Sequence, residues 1–250
     1  MAYQVKPIFL GTIEGDQSGF TYMVFPGTPI KLDVVFFLIT GAPKTILFDT
    51  GSWADLMANY WPGKGWDYQT FEEGLAKEGL KPEDIDIIVQ GHLHHDHVGN
   101  TSKCVNASVY VQEDEWAFCR APHPLHAGYY PPELYEGWNM KLIKGDKELF
   151  PGIEILHTPG HTPGTQSLTV ETDQGLAVIP GFCCTHHTFQ DPKEALPQDH
   201  PFAKNWEVFT PAIATDLCQA YNSTLRLKSI ADIMLPCHGP GFGVYPEDGM

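Results

Sequence analysis

Residues 91–100 read GHLHHDHVGN and place four histidines and one aspartate within residues 92–97. His92 and His94 are spaced i, i+2, with Asp96 and His97 close behind. No helix or strand gains stability from that composition. Imidazole nitrogen and carboxylate oxygen together suit zinc and related divalent transition ions. The preceding run, IDIIVQGH (residues 85–92), is apolar and of strand length, as expected for a strand covered on both faces. A metal-binding loop leaving the end of a buried strand is therefore the feature around which the chain is read.

Working outward, the same grammar recurs. His161 lies in HTPGHTPG (157–164) and His238 in PCHGPG (236–241), each flanked by glycine and each following a strand-like run. Upstream, DVVFFLIT (33–40) and TILFDTG (45–51), joined by GAPK, read as a hairpin. TFEEGLAKEGL (70–80) has helical spacing with acidic residues in its first turn. SVYVQ (108–112) and GIEILHTPGH (152–161) contain strands, and SLTVETDQGLAVIPG (167–181) reads as a hairpin around TDQG. ATDLCQAYNSTLRLKSI (214–230) reads as a helix followed by a short strand in DIMLPCHGPG (232–241). Each histidine motif sits past the C-terminal end of a strand, the edge where layered α/β proteins bind ligands. No linker divides the chain, so residues 1–250 are expected to form one domain.

Composition narrows the partners. The 250 residues are 42% hydrophobic and 18% charged, with 15 basic and 31 acidic side chains for a formal net charge of −16. Such a surface repels phosphate backbones and anionic membranes, which argues against nucleic acid and lipid partners and leaves a small-molecule substrate or a metal cation. No apolar run approaches the length of a membrane span. The start, MAYQVKPIFL, lacks the pattern of a secretory signal, so the cytoplasm is the expected location. The six cysteines are scattered apart from the pair Cys183–Cys184 and are expected to be free thiols.

The string His92-x-His94-x-Asp96-His97, with FDTG upstream and TPGHTPG and HGPG downstream, resembles the metallo-β-lactamase superfamily. Its nearest likeness there is to the metal-dependent lactonases that open acyl-homoserine lactones and similar rings. The resemblance runs from about Thr45 onward. It implies an αββα sandwich, two mixed β-sheets face to face with helices outside and metals at one edge. It further implies one metal held by His92, His94 and His161, a second held by Asp96, His97 and His238, and Asp49 orienting ligands by hydrogen bonding. The ions would be zinc, with iron or manganese as alternatives, one or two per chain. His95 falls at a variable position and is not expected to ligate. The implied activity is hydrolysis by a metal-bound hydroxide of a small cyclic ester or related amide, with Asp96 as ligand, proton shuttle or both.

One departure stands out. The family places a bridging aspartate after the strand that follows His161, and such a carboxylate holds two cations about 3.5–4 Å apart. Here AVIPGFCCTHH (177–187) brings Phe182, or Gly181, to that position, and neither side chain can ligate. Three outcomes are open: Cys183 or Cys184 approaches as a thiolate, His186 or His187 folds back, or the site holds a single ion. Rival readings are a mononuclear iron thiol dioxygenase of the same fold, against which the missing aspartate counts, and a degenerate member that binds without turnover. A glutathione-thioester hydrolase lacks a basic cluster to receive it. Two aromatic stretches, 52–69 and 119–140, carry Trp53, Trp61, Trp66, Tyr129, Tyr130, Tyr135 and Trp138. These wall an apolar pocket, pack the loops onto the body, or form the interface of a homodimer.

Overall fold

The computed structural model describes residues 3–61 and 63–239. Seven strands form the first sheet: β1 (Gln4–Asp16), β2 (Pro29–Thr40), β3 (Ile46–Phe48), β4 (Gly65–Asp67), β5 (Ile87–Val89), β6 (Ser108–Gln112) and β7 (Asn139–Ile143), in the order β4-β1-β2-β3-β5-β6-β7. The second contains β8 (Lys147–Phe150), β9 (Ile153–His157), β10 (Gln166–Thr172), β11 (Gly175–Ile179) and β12 (Ile233–Met234), in the order β12-β11-β10-β9-β8. Both are mixed: β3, β5, β6 and β7 run parallel, as do β11 and β12, and the other pairs are antiparallel.

The apolar runs explain the layering. Along β2, Val35, Phe37 and Ile39 join Phe48, Val89, Ile155, Leu168 and Ile179 in the core between the sheets. The alternate residues Val34, Phe36 and Leu38 face the opposite way, into a second core with Phe71, Leu75 and Val98. A strand buried on both faces needs a continuous apolar run rather than alternation, which is what DVVFFLIT supplies. Each large side chain removed from water contributes about 1.5–3 kcal/mol. A third cluster packs the outer face of the second sheet against the helix Leu217–Ile230 through Val178, Phe182 and Leu227. The arrangement is the expected αββα sandwich.

The expected β2–β3 hairpin forms, and the helix expected at 70–80 spans Phe71–Lys77, started by Thr70 and Glu73 in reciprocal capping bonds. The strand expected over 85–92 shrinks to Ile87–Val89, and its remainder becomes the loop that carries His92. The stretch 52–69 contains a helix, Ala54–Ala58, and β4, while 119–140 contains short 3-10 turns at Ala127–Tyr129 and Pro132–Tyr135.

At one edge the sheets close on each other. Gln166 N donates to Gly91 O at 2.8 Å, joining the start of β10 to the loop after β5. A Cβ on Gly181 would stand 1.7 Å from Gln166 O and 2.6 Å from the Cα of Gly91, so only glycine permits this approach.

Candidate metal centre

Five strands deliver the site. Asp49 follows β3, His92 to His97 follow β5, His161 follows β9, Cys183 follows β11 and His238 follows β12. The short helix His95–Val98 turns Asp96 and His97 back toward the others. His92, His94 and His161 bring ring nitrogens together, nitrogens of His92 and His97 gather with a carboxylate oxygen of Asp96, and those of His97 and His238 gather with the sulfur of Cys237. The HGPG motif is described only as far as Gly239; Pro240 and Gly241 lie outside the described residues.

Hydrogen bonds fix which ring nitrogen faces inward. The Nδ1 of His92 donates to Gly181 O at 2.7 Å, that of His161 to Ile213 O, and that of His238 to Asp33 O at 3.0 Å. His97 Nδ1 meets Asp49 Oδ2 at 2.7 Å, while Gly91 N donates to Asp49 Oδ1 at 2.6 Å. With each outward nitrogen given to an acceptor, the neutral rings of His92 and His161 turn their Nε2 lone pairs toward one another; at His238 burial works to lower the ring, but Cys237, Cys183 and the hydrogen bond to Asp96 outweigh it and hold it well above the usual histidine range. The His92 and His161 Nε2 atoms are 3.1 Å apart, and so are those of His97 and His238. Asp96 Oδ2 lies 3.3 Å from His238 Nε2 and 3.5 Å from His97 Nε2. His94 Nε2 is buried with no hydrogen-bond partner.

These observations test whether the residues fit a divalent ion. Two nitrogens held at about 2.0–2.1 Å from one zinc at a tetrahedral angle stand roughly 3.3–3.4 Å apart. Both 3.1 Å pairs are close to that spacing, and in the His92–His161 pair the two lone pairs repel unless a cation stands between them. The residues fit. Burial adds to this: it holds His92 and His94 well below the usual histidine range, reinforced by neighbouring imidazoles, and takes His161 down to about 4. All three are therefore neutral near pH 7, the state in which imidazole ligates. Burial works to raise Asp96, but His97 and a hydrogen bond from His238 outweigh it and hold the carboxyl well below the usual range.

Asp49 reaches its place at a cost. It adopts φ 58°, a left-handed conformation rare for a residue with a side chain. Its two oxygens then tie the backbone of the histidine loop to the ring of His97.

Glu115 is the residue that sequence reading missed. It is 1% exposed and accepts from Leu93 N at 2.9 Å, Tyr130 OH at 3.1 Å, Gly164 N at 3.3 Å and Thr162 Oγ1. Burial pushes its carboxyl upward and those donors oppose the shift. One side chain thus pins the loop of His92 and His94 to the loop of His161. Among the acidic residues of EDEWAFCR it looks like ordinary first-turn chemistry, and only the fold singles it out.

The segment after β11 sends its neighbouring side chains to different places. Phe182 turns away into the cluster with Val178 and Leu227 and stacks near Phe189. Cys184 joins the same apolar cluster, so a ligand role for it is not supported by its position. Cys183 instead lines the cavity together with His94, Asp96 and His161. His186 and His187 lie against each other at 3.7 Å between ring centroids, outside the metal-ligand groups formed by the described residues.

The cavity is small and partly open to solvent. Its apolar wall is Ile13, Phe20, Met57, Trp61, Tyr129 and Ile213. Of the seven aromatic candidates, Trp61 and Tyr129 take this role. Tyr135 OH donates to Leu93 O at 2.6 Å, Tyr130 binds Glu115, and Trp138 packs on Tyr135. Trp53 and Trp66 are exposed. His95 also lines the cavity, stacked on Tyr60, and its Nε2 does not enter any ligand group.

A domain model described as the metallo-beta-lactamase superfamily matches residues 31–178. An N-acyl homoserine lactonase from Bacillus sp is 32% identical over 86% of this chain and 83% of its own length. Metallo-beta-lactamase domain-containing protein 1 from Xenopus laevis is 27% identical over 98% of this chain and 89% of its own. Among solved structures, a variant of AiiA from B. thuringiensis with N-decanoyl-L-homoserine bound at its active site superposes with a TM-score of 0.75 at 28% identity, covering 96% of this chain and 94% of that one. The chain belongs to the metallo-β-lactamase superfamily. Within it, the chain stands with the metal-dependent lactonase branch of hydrolases rather than with the oxygen-using branch.

Proposed function

We propose that the protein is a metal-dependent hydrolase that opens a small cyclic ester, with an N-acyl homoserine lactone as the first substrate to try. The observation that carries this reading is the pair of inward-facing Nε2 contacts, His92–His161 and His97–His238, each 3.1 Å, beside the buried and unpartnered Nε2 of His94. The names of the lactonase relatives support the substrate class.

His92, His94 and His161 would hold one ion, and Asp96, His97 and His238 a second; zinc suits this set of nitrogen and oxygen donors. When bound, such an ion lowers the pKa of a coordinated water from 15.7 toward roughly 7 and polarises a carbonyl oxygen. The protein's own share is positional. Asp49 holds His97 in one tautomer and orientation, Gly181 O does the same for His92, and Ile213 O for His161. Asp96, 19% exposed and on the cavity wall, is placed to accept a proton and pass it to a leaving alkoxide. The apolar wall of Phe20, Met57, Trp61 and Ile213 excludes water and would receive an acyl chain.

Three coarser expectations belong to the same reading. One domain spans residues 1–250. The cytoplasm is the location, in keeping with six free cysteines; no helix among the described residues is long and apolar enough to cross a membrane. A homodimer buries Trp53, Trp66 and Tyr68, exposed by 37%, 43% and 62%, and sedimentation at varied concentration tests it.

The experiment for the main reading is proton release from a panel of lactones, thioesters and amides by metal-free and zinc-loaded protein. Turnover of lactones alone, dependent on zinc, is the expected result. Metal retained without hydrolysis of any member would favour a binding protein instead.

A further inference from the structure

We propose that His95 selects the substrate by hydrogen-bonding an amide carried on the ring of the cyclic ester. This role rests on the hydrolase reading above and deepens it by naming a group that the substrate must bear.

Few polar atoms on the cavity wall are left over once the metal ligands are assigned. Among the described residues several buried side-chain nitrogens and oxygens lack a hydrogen-bond partner, but only two belong to residues that line the cavity: His94 Nε2 and His95 Nδ1. His94 is used by the ion it would share with His92 and His161. His95 enters none of the metal-ligand groups and is 5% exposed. A buried polar atom without a partner calls for an explanation, and this one belongs to the wall of the cavity that receives the substrate.

Packing fixes the ring that carries it. His95 opens the short helix His95–Val98, and Tyr60 stacks on its imidazole at 4.6 Å between centroids and 30° between planes. Tyr129 lies within 25° of parallel at 6.4 Å. Tyr60 is itself tied down, its backbone N donating to Met57 O at 2.9 Å and its hydroxyl bonded to Glu133. A ring held this way has little freedom left to lose when it meets a ligand.

Chemistry narrows that ligand. A neutral imidazole carries one N–H donor and one acceptor, and the tautomer decides which of them Nδ1 is. An amide offers both a C=O and an N–H, so it satisfies the ring in either tautomer, whereas an alkyl group satisfies neither. The bond forms without a change of protonation. Position follows from the chain: His94 and His95 are consecutive, with Cα atoms about 3.8 Å apart, and Tyr129 packs on both rings, at 4.8 Å and 6.4 Å. The reacting carbonyl belongs beside the ion of His94, so the amide belongs on the lactone ring rather than at the far end of a chain. Trp61 does not compete, because its Nε1 already donates to Glu14 O at 3.0 Å. The phenol of Tyr129 is the rival donor on the wall. The plainer alternative is a water molecule that caps Nδ1 throughout and leaves the choice of substrate to shape.

Two lactones of equal length separate these: N-butyryl-L-homoserine lactone, and α-pentyl-γ-butyrolactone, in which methylenes replace the amide. Zinc-loaded wild type should show a kcat/KM at least roughly 20-fold higher for the first, since a site built to hydrogen-bond its substrate rejects the analogue that leaves its polar atom unpaired. His95→Phe keeps an aromatic ring against Tyr60 but no polar atom, and should cut that ratio below about 3. A folding or metal defect would instead lower both rates and leave the ratio standing. His95→Asn, which keeps a polar atom close to the place of Nδ1, should hold a ratio above about 5. A wild-type ratio near unity would overturn the proposal while the hydrolase reading stands. So would a ratio that survives His95→Phe, which would point to Tyr129, or an Asn variant no more selective than the Phe variant. Calorimetric binding of the two corresponding γ-lactams to zinc-loaded protein covers the reverse case. Wild type that opens neither lactone, yet binds the amide-bearing lactam at least roughly tenfold more tightly, would sink the hydrolase reading and keep the role of His95. Absent turnover together with equal binding would overturn both.

Discussion

Asp49 carries more of the site than its single position suggests. Its carboxylate receives Gly91 N and His97 Nδ1 while its backbone holds a left-handed conformation. Asp49→Asn keeps the shape but offers an amide nitrogen where an acceptor is needed, so either His97 or Gly91 loses its partner. Affinity for the ion held by His97 should fall 10–100-fold, read by competition with a chromophoric chelator. Equal affinity in wild type and variant would show that the tautomer of His97 is set elsewhere. At this scale the histidines were legible in sequence because their density has no structural use. Glu115 was not, because a glutamate in a first helical turn is ordinary until the fold turns it inward; Cys183 was named together with Cys184, and only the fold separates the two. At Phe182 the sequence shows a residue that cannot ligate, and only the path after β11 decides which of three adjacent side chains reaches the cavity.

At the scale of elements, the loops after β5 and β9 are joined through the helix Glu113–Arg120. Glu115→Ala would leave Leu93 N, Gly164 N and the hydroxyls of Thr162 and Tyr130 without their shared acceptor. Each buried donor left unmet costs roughly 1–3 kcal/mol before water or rearrangement compensates. A loss of about 3 kcal/mol in unfolding free energy is expected by urea titration, together with weaker metal binding. A loss under about 0.5 kcal/mol would mean the loops hold without the carboxylate, since that is the range of a neutral surface change. The β2–β3 hairpin and the helix Phe71–Lys77 were readable from apolar runs and caps. β1, the longest strand at 13 residues, was not. Its sequence QVKPIFLGTIEGD carries a proline and two glycines, and its pairing with β2 slips at Phe9/Gly11. Gly11 is needed because a Cβ there would meet Trp66 O at 2.3 Å. Pairing across the sheet, which no local pattern reveals, overrides the poor strand propensity.

For the molecule as a whole, the order of motifs and the strand-end histidines made the sandwich legible, since the fold gathers strand C-termini from both sheets at one edge. The pH dependence of the metal-free protein follows from burial of those histidines. His161 has an ordinary value of 6.5 when unfolded and about 4 when folded. Below pH 6.5 the unfolded chain takes up a proton that the fold refuses, so stability is fully present above that pH and declines as pH falls toward 4. His92 and His94, also held well below the usual range by burial, act in the same direction. The melting temperature of metal-free protein should therefore drop between about pH 6.5 and pH 4, and a flat profile there would contradict buried neutral histidines. An ion that binds only the folded form, with zinc the one to add, should raise stability by about 2.7 kcal/mol at a free concentration one hundred times its dissociation constant.

The central claim is that this histidine edge performs metal-dependent ester hydrolysis. The most direct measurement is the rate of ring opening of an N-acyl homoserine lactone by metal-free protein as zinc is added stepwise, with His94→Ala run alongside. The account predicts no turnover without metal, a rate that rises with zinc bound per chain, and a loss of at least roughly 100-fold in His94→Ala, about 2.7 kcal/mol of transition-state stabilisation. Zinc-loaded protein that leaves the lactone intact, or a rate indifferent to both zinc and His94, would contradict it.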